Sequence, residues 1–214
     1  GYFPEALLDY LAKLGCGHGD DEVFSDEQAL GWFDIKDVVG APARLDWAKL
    51  NHLNNHYIRL AEPASLARLV AAIHKSRDWP LHDDHMAVLE HVIPHVRDGA
   101  KTTLELADAT VFALKRRPLE LPEKARELLT EETRARLGRL RSALDAAPAW
   151  DVPTLEATNR AFAESEGVGL GKIGPALRAV LSGGSPAPDL AGALVSLGKH
   201  ESLGRLDDAL SLNG

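Results

Sequence analysis

Cysteine is almost missing from this 214-residue chain, and with Cys16 as its single thiol neither an internal disulfide nor a cysteine-rich zinc site can form. That fits a reducing, cytoplasmic setting, where apolar burial must hold the core; a hydrophobic content of 45% is enough for it. The opening Gly1-Tyr2-Phe3-Pro4-Glu5-Ala6 has no initiator Met, no basic stretch and no small-residue cleavage site, so it is no signal peptide and reads as a chain entered partway. Long apolar runs are missing too. Charges or prolines break every one before the roughly 18 residues of a membrane span, so the chain reads as soluble, with no membrane partner. Positive charge is in deficit: a net charge of −8 speaks against general polyanion affinity, which draws on clustered Lys and Arg. The deficit is uneven. Residues 1–60 carry five basic and ten acidic side chains, residues 61–150 fourteen of each, and residues 151–214 five and eight.

Sustained apolar/polar alternation and Asn-Gly hairpin turns are absent, while apolar spacings of three and four run through the sequence, so the fold class is all-α. Pro4 to Gly15 is a short amphipathic helix with Leu7, Leu8, Leu11 and Leu14 on one face. After a polar, Gly-rich loop to Glu22, Ser25 and Gln28 stand at capping-box spacing and open a helix through Trp32 and Phe33. Asp46 can cap a helix carrying Trp47, Leu50, Leu53, Asn54 and Tyr57. Further helices are predicted over 64–77, 84–95, 98–114, 122–128 and 131–146, punctuated by Pro80, Pro118 and Pro148. A helix opening at Val152-Pro153-Thr154 runs to about Glu166, and others cover 172–181, 189–197 and 201–211, joined by turns at Gly167 to Gly169 and Gly183-Gly184. No internal repeat marks a solenoid.

Catalytic chemistry finds no constellation. His91 and His95 lie one helical turn apart beside Glu90, near His82, Asp83, Asp84 and His85, which suggests a metal site, but the HExxH order is absent and Pro94 interrupts the pair. Surface or capping histidines are the preferred reading, and a metal-dependent hydrolase is remote. Cys16-Gly17-His18 is suggestive only as a string, because a nucleophile needs a base and an orienting group in defined geometry. Nucleophile elbows, phosphate loops and dinucleotide fingerprints are all lacking. Lys115-Arg116-Arg117 and the series Arg134, Arg136, Arg139, Arg141 could grip phosphates, yet Glu120, Glu123, Glu127, Glu131 and Glu132 make a solvated, salt-bridged helix face the ordinary reading.

The stretch Gly1-Tyr2-Phe3-Pro4-Glu5-Ala6-Leu7-Leu8-Asp9-Tyr10-Leu11-Ala12-Lys13-Leu14-Gly15 resembles the segment that follows the KMSKS-type loop in bacterial-type glutamyl-tRNA synthetases. The likeness continues through His18-Gly19-Asp20-Asp21-Glu22-Val23-Phe24-Ser25, Trp32-Phe33-Asp34, Ala41-Pro42-Ala43-Arg44-Leu45-Asp46, Lys49-Leu50-Asn51, Asn54 and Tyr57-Ile58-Arg59. Ala100-Lys101-Thr102-Thr103-Leu104-Glu105-Leu106 is similar to the family's R-x-K-T-L-x-E-L helix. Gly169-Leu170-Gly171-Lys172-Ile173-Gly174-Pro175-Ala176-Leu177-Arg178 through Ser182-Gly183 resembles its G-x-G-K-x-x-x-P-L-R-x-x-x-T-G block, with Ser185 to Leu190 and Leu197-Gly198-Lys199 completing it.

The resemblance implies a helical stem-contact unit (1–60) followed by two helical anticodon-binding subdomains (61–150 and 151–214). It also implies an aminoacyl-tRNA synthetase, a cytoplasmic ligase of protein biosynthesis, as the parent enzyme. The parent uses ATP and Mg and attaches glutamate to tRNA. This chain itself lacks the HIGH-type and KMSKS-type motifs, so it should carry neither a catalytic site nor a cofactor, and its partner is glutamate tRNA, bound by a monomer. An unstacked anticodon loop suits local recognition, since its bases can be stacked upon and read along their edges by planar Arg donors. Carried over by position, Arg178 is the leading anticodon contact, and Pro188 with Leu190 shapes an apolar wall for a base; Arg178 could instead cap a helix C-terminus. The sequence departs from the family at Pro175, which does not directly precede the Leu-Arg pair, and at Ala187, where Ser or Thr is frequent. The third departure is Gly99, where an Arg often helps read the third anticodon base. Gly99 has no side chain to donate, which implies relaxed discrimination between glutamate and glutamine tRNAs unless Arg97 or Lys101 compensates. The competing expectation is a helical protein-interaction or regulatory module that binds no RNA.

Overall fold

The computed structural model describes residues 1–15, 23–32, 34, 36 and 44–211. The expected loop to Glu22, the Cys16-Gly17-His18 string and the end of the second helix at Phe33 lie outside the described residues. Among the described residues there are eleven α-helices and no strand, as helical spacing requires.

Helix α1 (Pro4–Gly15) lies on α3 (Trp47–Leu60), and the two share a small cluster of Ala6, Tyr10, Leu50 and Leu53. The buried face of α1 is therefore the Ala6–Tyr10 side. Leu7, Leu8, Leu11 and Leu14, the apolar face read from spacing, stand exposed. Ser25 and Gln28 form the expected reciprocal cap of α2 (Asp26–Trp32), each side-chain oxygen accepting from the other's backbone N–H. Asp46 accepts from the N–H groups of Ala48 and Lys49 at the start of α3.

Helices α4 (Pro63–Ser76), α5 (His85–Val96) and α6 (Thr103–Leu114) pack on one another. The single helix expected over 98–114 begins later, at Thr103. Residues 97–99 form one 3-10 turn, Ala100 is extended, and the Thr102 hydroxyl accepts from the Glu105 N–H to start α6 afresh. The cause is tertiary: Asn55 on α3 donates to the carbonyls of Arg97, Asp98 and Ala100, and buried Asn54 donates to that of Lys101. Bonds from a neighbouring helix thus satisfy carbonyls that an uninterrupted helix would satisfy internally.

After α7 (Glu123–Glu127) come α8 (Glu131–Asp145), α9 (Val152–Ser165), α10 (Leu170–Ser182) and α11 (Leu190–Ser211). The last is broken at Gly198, whose φ of 75° separates the two helices expected there. Left-handed Gly167, Gly183 and Gly184 make the turns. Helix α8 packs against α9, α10 and α11, across the boundary expected at residue 150. One continuous core runs from Ile58 to Ala209, so the four-helix group and the α4–α6 group share their apolar interior. At their junction Arg205, almost fully buried, donates to the carbonyls of Phe112, Lys115 and Leu181 and pairs with Glu201.

Candidate nucleic-acid interface

The segment from Ser185 to Asp189 links the left-handed end of α10 to the start of α11, and Asp189 anchors that start by accepting from the Gly192 N–H at 2.7 Å. Gly192 is held close: a Cβ there would lie 3.2 Å from both the Asp189 carboxylate and Pro188. Ala187 and Pro188 turn their carbonyls toward α10, where Nη1 of Arg178 donates to both, at 3.1 and 2.5 Å. The guanidinium therefore does not cap the C-terminus of its own helix. It ties α10 to the following segment and remains exposed.

Beside it opens a cleft of about 290 Å³ lined by Glu156, Asn159, Arg160 and Leu170 together with Arg178 and Leu190. Of the residues that the resemblance singled out here, Arg178 and Leu190 line the cleft with Asp189 and Ala191, while Ala187 and Pro188 meet Arg178 through their carbonyls. Asn159 and Arg160 of α9 were not found from sequence, although one signal was present. Asn159 falls on the buried stripe of α9 with Leu155, Phe162 and Ala163, and its Oδ1 has no hydrogen-bond partner. A polar side chain on an apolar helix face is a reason to look for a neighbouring site.

Arg97, Gly99 and Lys101 occupy the connection between α5 and α6, and none of them lines that cleft. The Arg97 guanidinium is engaged with the Ala61 carbonyl at 3.1 Å, whereas the Lys101 side chain is exposed and, among the described residues, only its backbone is bonded, to Glu105 and Asn54. Around Gly99 there is open space, since a Cβ would meet nothing within 4 Å.

The histidine pair His91 and His95 is exposed, with ring centroids 5.5 Å apart, and no group of three or more His, Cys, Asp or Glu side chains able to hold a metal ion occurs among the described residues. The series Arg134, Arg136, Arg139 and Arg141 is largely committed within the protein. Arg136 and Arg139 pair with Glu166, Arg141 with Asp145 and Asp207, and Arg134 bonds the Leu129 carbonyl. These partners lower the Glu166 and Asp145 carboxyls below the usual range through hydrogen bonds, from Arg139 to Glu166 and from Lys199 and Arg141 to Asp145.

Among the described residues the domain is all-helical, and an exposed arginine stands beside a small open cleft at its surface. Residues 56–210 match the family described as anticodon binding domain, most of the chain, and the protein belongs to that family. It is 75% identical over 211 residues to a glutamate–tRNA ligase of Phenylobacterium zucineum and 57% identical to that of Caulobacter vibrioides. In both cases the match covers 99% of this chain and 45% of the relative, so the chain spans about half the length of these proteins. A glutamate tRNA ligase from Elizabethkingia meningosepticum, solved in complex with its amino acid, shares the fold with a TM-score of 0.74 at 23% identity, over 98% of this chain and 41% of that one. The matched family is a binding domain, and no helix among the described residues is long and apolar enough to cross a membrane.

Proposed function

We propose that this chain recognises the anticodon of glutamate tRNA on behalf of a glutamate–tRNA ligase, with ATP, Mg and the chemistry belonging to the longer protein. The observation that carries the reading is the cleft at Arg178 in a domain of the anticodon-binding family. The exposed guanidinium is preset by the Ala187 and Pro188 carbonyls and still has unused planar donors, which suits a base edge. Leu190 supplies apolar surface for the base face. On this reading residues 1–60 contact the tRNA stem, while residues 61–150 and 151–214 share the anticodon, and the chain acts as a monomer in the cytoplasm. Open space at Gly99 favours weak reading of the third base, hence acceptance of glutamine tRNA beside glutamate tRNA, with exposed Lys101 the better placed substitute donor than committed Arg97.

The test is binding of this chain to glutamate tRNA, to anticodon-substituted variants and to an unrelated tRNA. Arg178→Ala should cost about tenfold or more in affinity for the cognate anticodon and leave binding of the unrelated tRNA unchanged, in line with ~1–3 kcal/mol per base contact. Equal binding of all the tRNAs by the unaltered chain, or none, sinks the proposal and leaves a helical interaction module.

A further inference from the structure

A second cleft, about 580 Å³ in volume and twice the size of that at Arg178, lies where the α6–α7 connection crosses the end of α10. Its walls include Trp79, His82, His85, Lys115, Glu120 and Arg126, and Arg116 stands on the ridge shared with a neighbouring cleft of equal volume. Lys115 is half-buried and spends one of its three donors on the Gly183 carbonyl at 2.8 Å, while Arg126 spends its Nε on the Leu121 carbonyl at 2.8 Å. Neither cation has a carboxylate within ion-pair distance among the described residues, unlike Arg116 with Asp84 and Arg117 with Glu201. Glu120 is the one carboxylate in the wall, so cations exceed anions there. Burial and the charge of Arg205 lower the Lys115 pKa, which marks a cation that gains when an anion arrives.

We propose that Lys115 and Arg126 form a phosphate-binding site in this cleft that holds the ribose-phosphate backbone of a bound RNA, separate from the base-reading cleft at Arg178. The inference deepens the reading of the chain as an RNA-binding domain and rests on it. A phosphate oxygen would complete the donor set that carbonyls only partly use, since Lys offers a compact point charge and Arg a fork of N–H groups. Such a contact carries affinity and register without sequence information, complementing a base reader that supplies information at small electrostatic gain. It would let a protein of net charge −8 hold a polyanion through a local pair of cations instead of a broad basic face.

Two measurements on the whole chain test this. The first is tRNA affinity as a function of salt for the unaltered protein, Lys115→Gln and Arg126→Gln, with thermal unfolding as a check that each variant folds. Each variant should reduce the slope of log affinity against log salt by about 0.7 and weaken binding about fivefold at 0.1 M salt, with the preference among anticodons unchanged. The second is titration with inorganic phosphate, followed by side-chain NMR signals of Lys115 and Arg126, which should saturate in the unaltered protein and fail to respond in the variants. Unchanged salt slopes in both folded variants overturn the RNA contact, and phosphate shifts that avoid both side chains overturn the site itself. If no tRNA binds the unaltered chain, the anticodon reading falls with the RNA contact, whereas saturation by phosphate at Lys115 and Arg126 would still establish the anion site.

Discussion

Gly99 sits in open space at the end of a 3-10 turn, and its backbone needs no left-handed conformation, so a larger side chain fits there without strain. On the proposed reading of the third base at this turn, Gly99→Arg is expected to add a donor there and to raise the ratio of glutamate-tRNA to third-base-variant affinity roughly tenfold, the low end of a bidentate contact. Competition binding of the two tRNAs measures it, and an unchanged ratio would argue that the third base is not approached from this turn. His74 illustrates a residue whose role is in the core. The Thr110 hydroxyl gives its proton to the Ala107 carbonyl, so it can only accept from Nε2 of buried His74, which fixes the neutral Nε2–H tautomer. Burial, and then the charge of Arg77, lower the His74 pKa. The unfolded chain therefore binds more protons here, and stability is lost as pH falls from the ordinary imidazole range near 6.5 toward the lower folded value. Urea unfolding at pH 7.5 and 5.5 should show the loss, and His74→Gln should shrink it; an equal drop in the variant would assign it to other groups, with buried His85, also lowered by burial, the next to test.

At the scale of elements, the caps and turns were legible because their chemistry is local. Ser25 with Gln28, Asp46, and the glycines at 167 and 183–184 all do what their neighbours in sequence require. The start of α6 was missed although Thr102 and Glu105 stand at N-cap spacing, and Asn54 and Asn55, more than forty positions away, hold the turn before it. Gly184 combines local and distant constraint. Its φ is 78°, and a Cβ would come within 2.8 Å of the Pro122 ring, which cannot swing aside. Gly184→Ala should cost about 2–3 kcal/mol, from left-handed strain and overpacking together, whereas Gly167→Ala, equally left-handed but open, should cost about 1 kcal/mol. Chemical denaturation of the two variants checks the difference; equal losses would mean that the α7 approach yields easily.

For the whole molecule, the junction between the α4–α6 group and the α8–α11 group turns on Arg205. Its guanidinium serves the ends of α6 and α10 from within α11, and Gly204 makes room for Arg117 alongside, where any Cβ would overlap that guanidinium. Arg205→Leu would leave three carbonyls at the junction without this donor and is expected to cost about 3–5 kcal/mol by urea unfolding. A loss below about 1 kcal/mol would show that water or relaxation replaces these bonds. Helical spacing, caps and glycine stops made the all-α fold and nearly every helix readable from the sequence, because those signals act within a turn or two of the chain. The ordered blocks around Lys101 and Arg178 likewise carried the family. Only the tertiary structure decided which face of α1 is buried, that Asn159 from another helix joins the Arg178 cleft, that Arg97 is spent on Ala61, and that Lys115 and Arg126 have no ion-paired carboxylate among the described residues. Each of those depends on which distant helix arrives opposite a side chain, and on the charges and space that it brings.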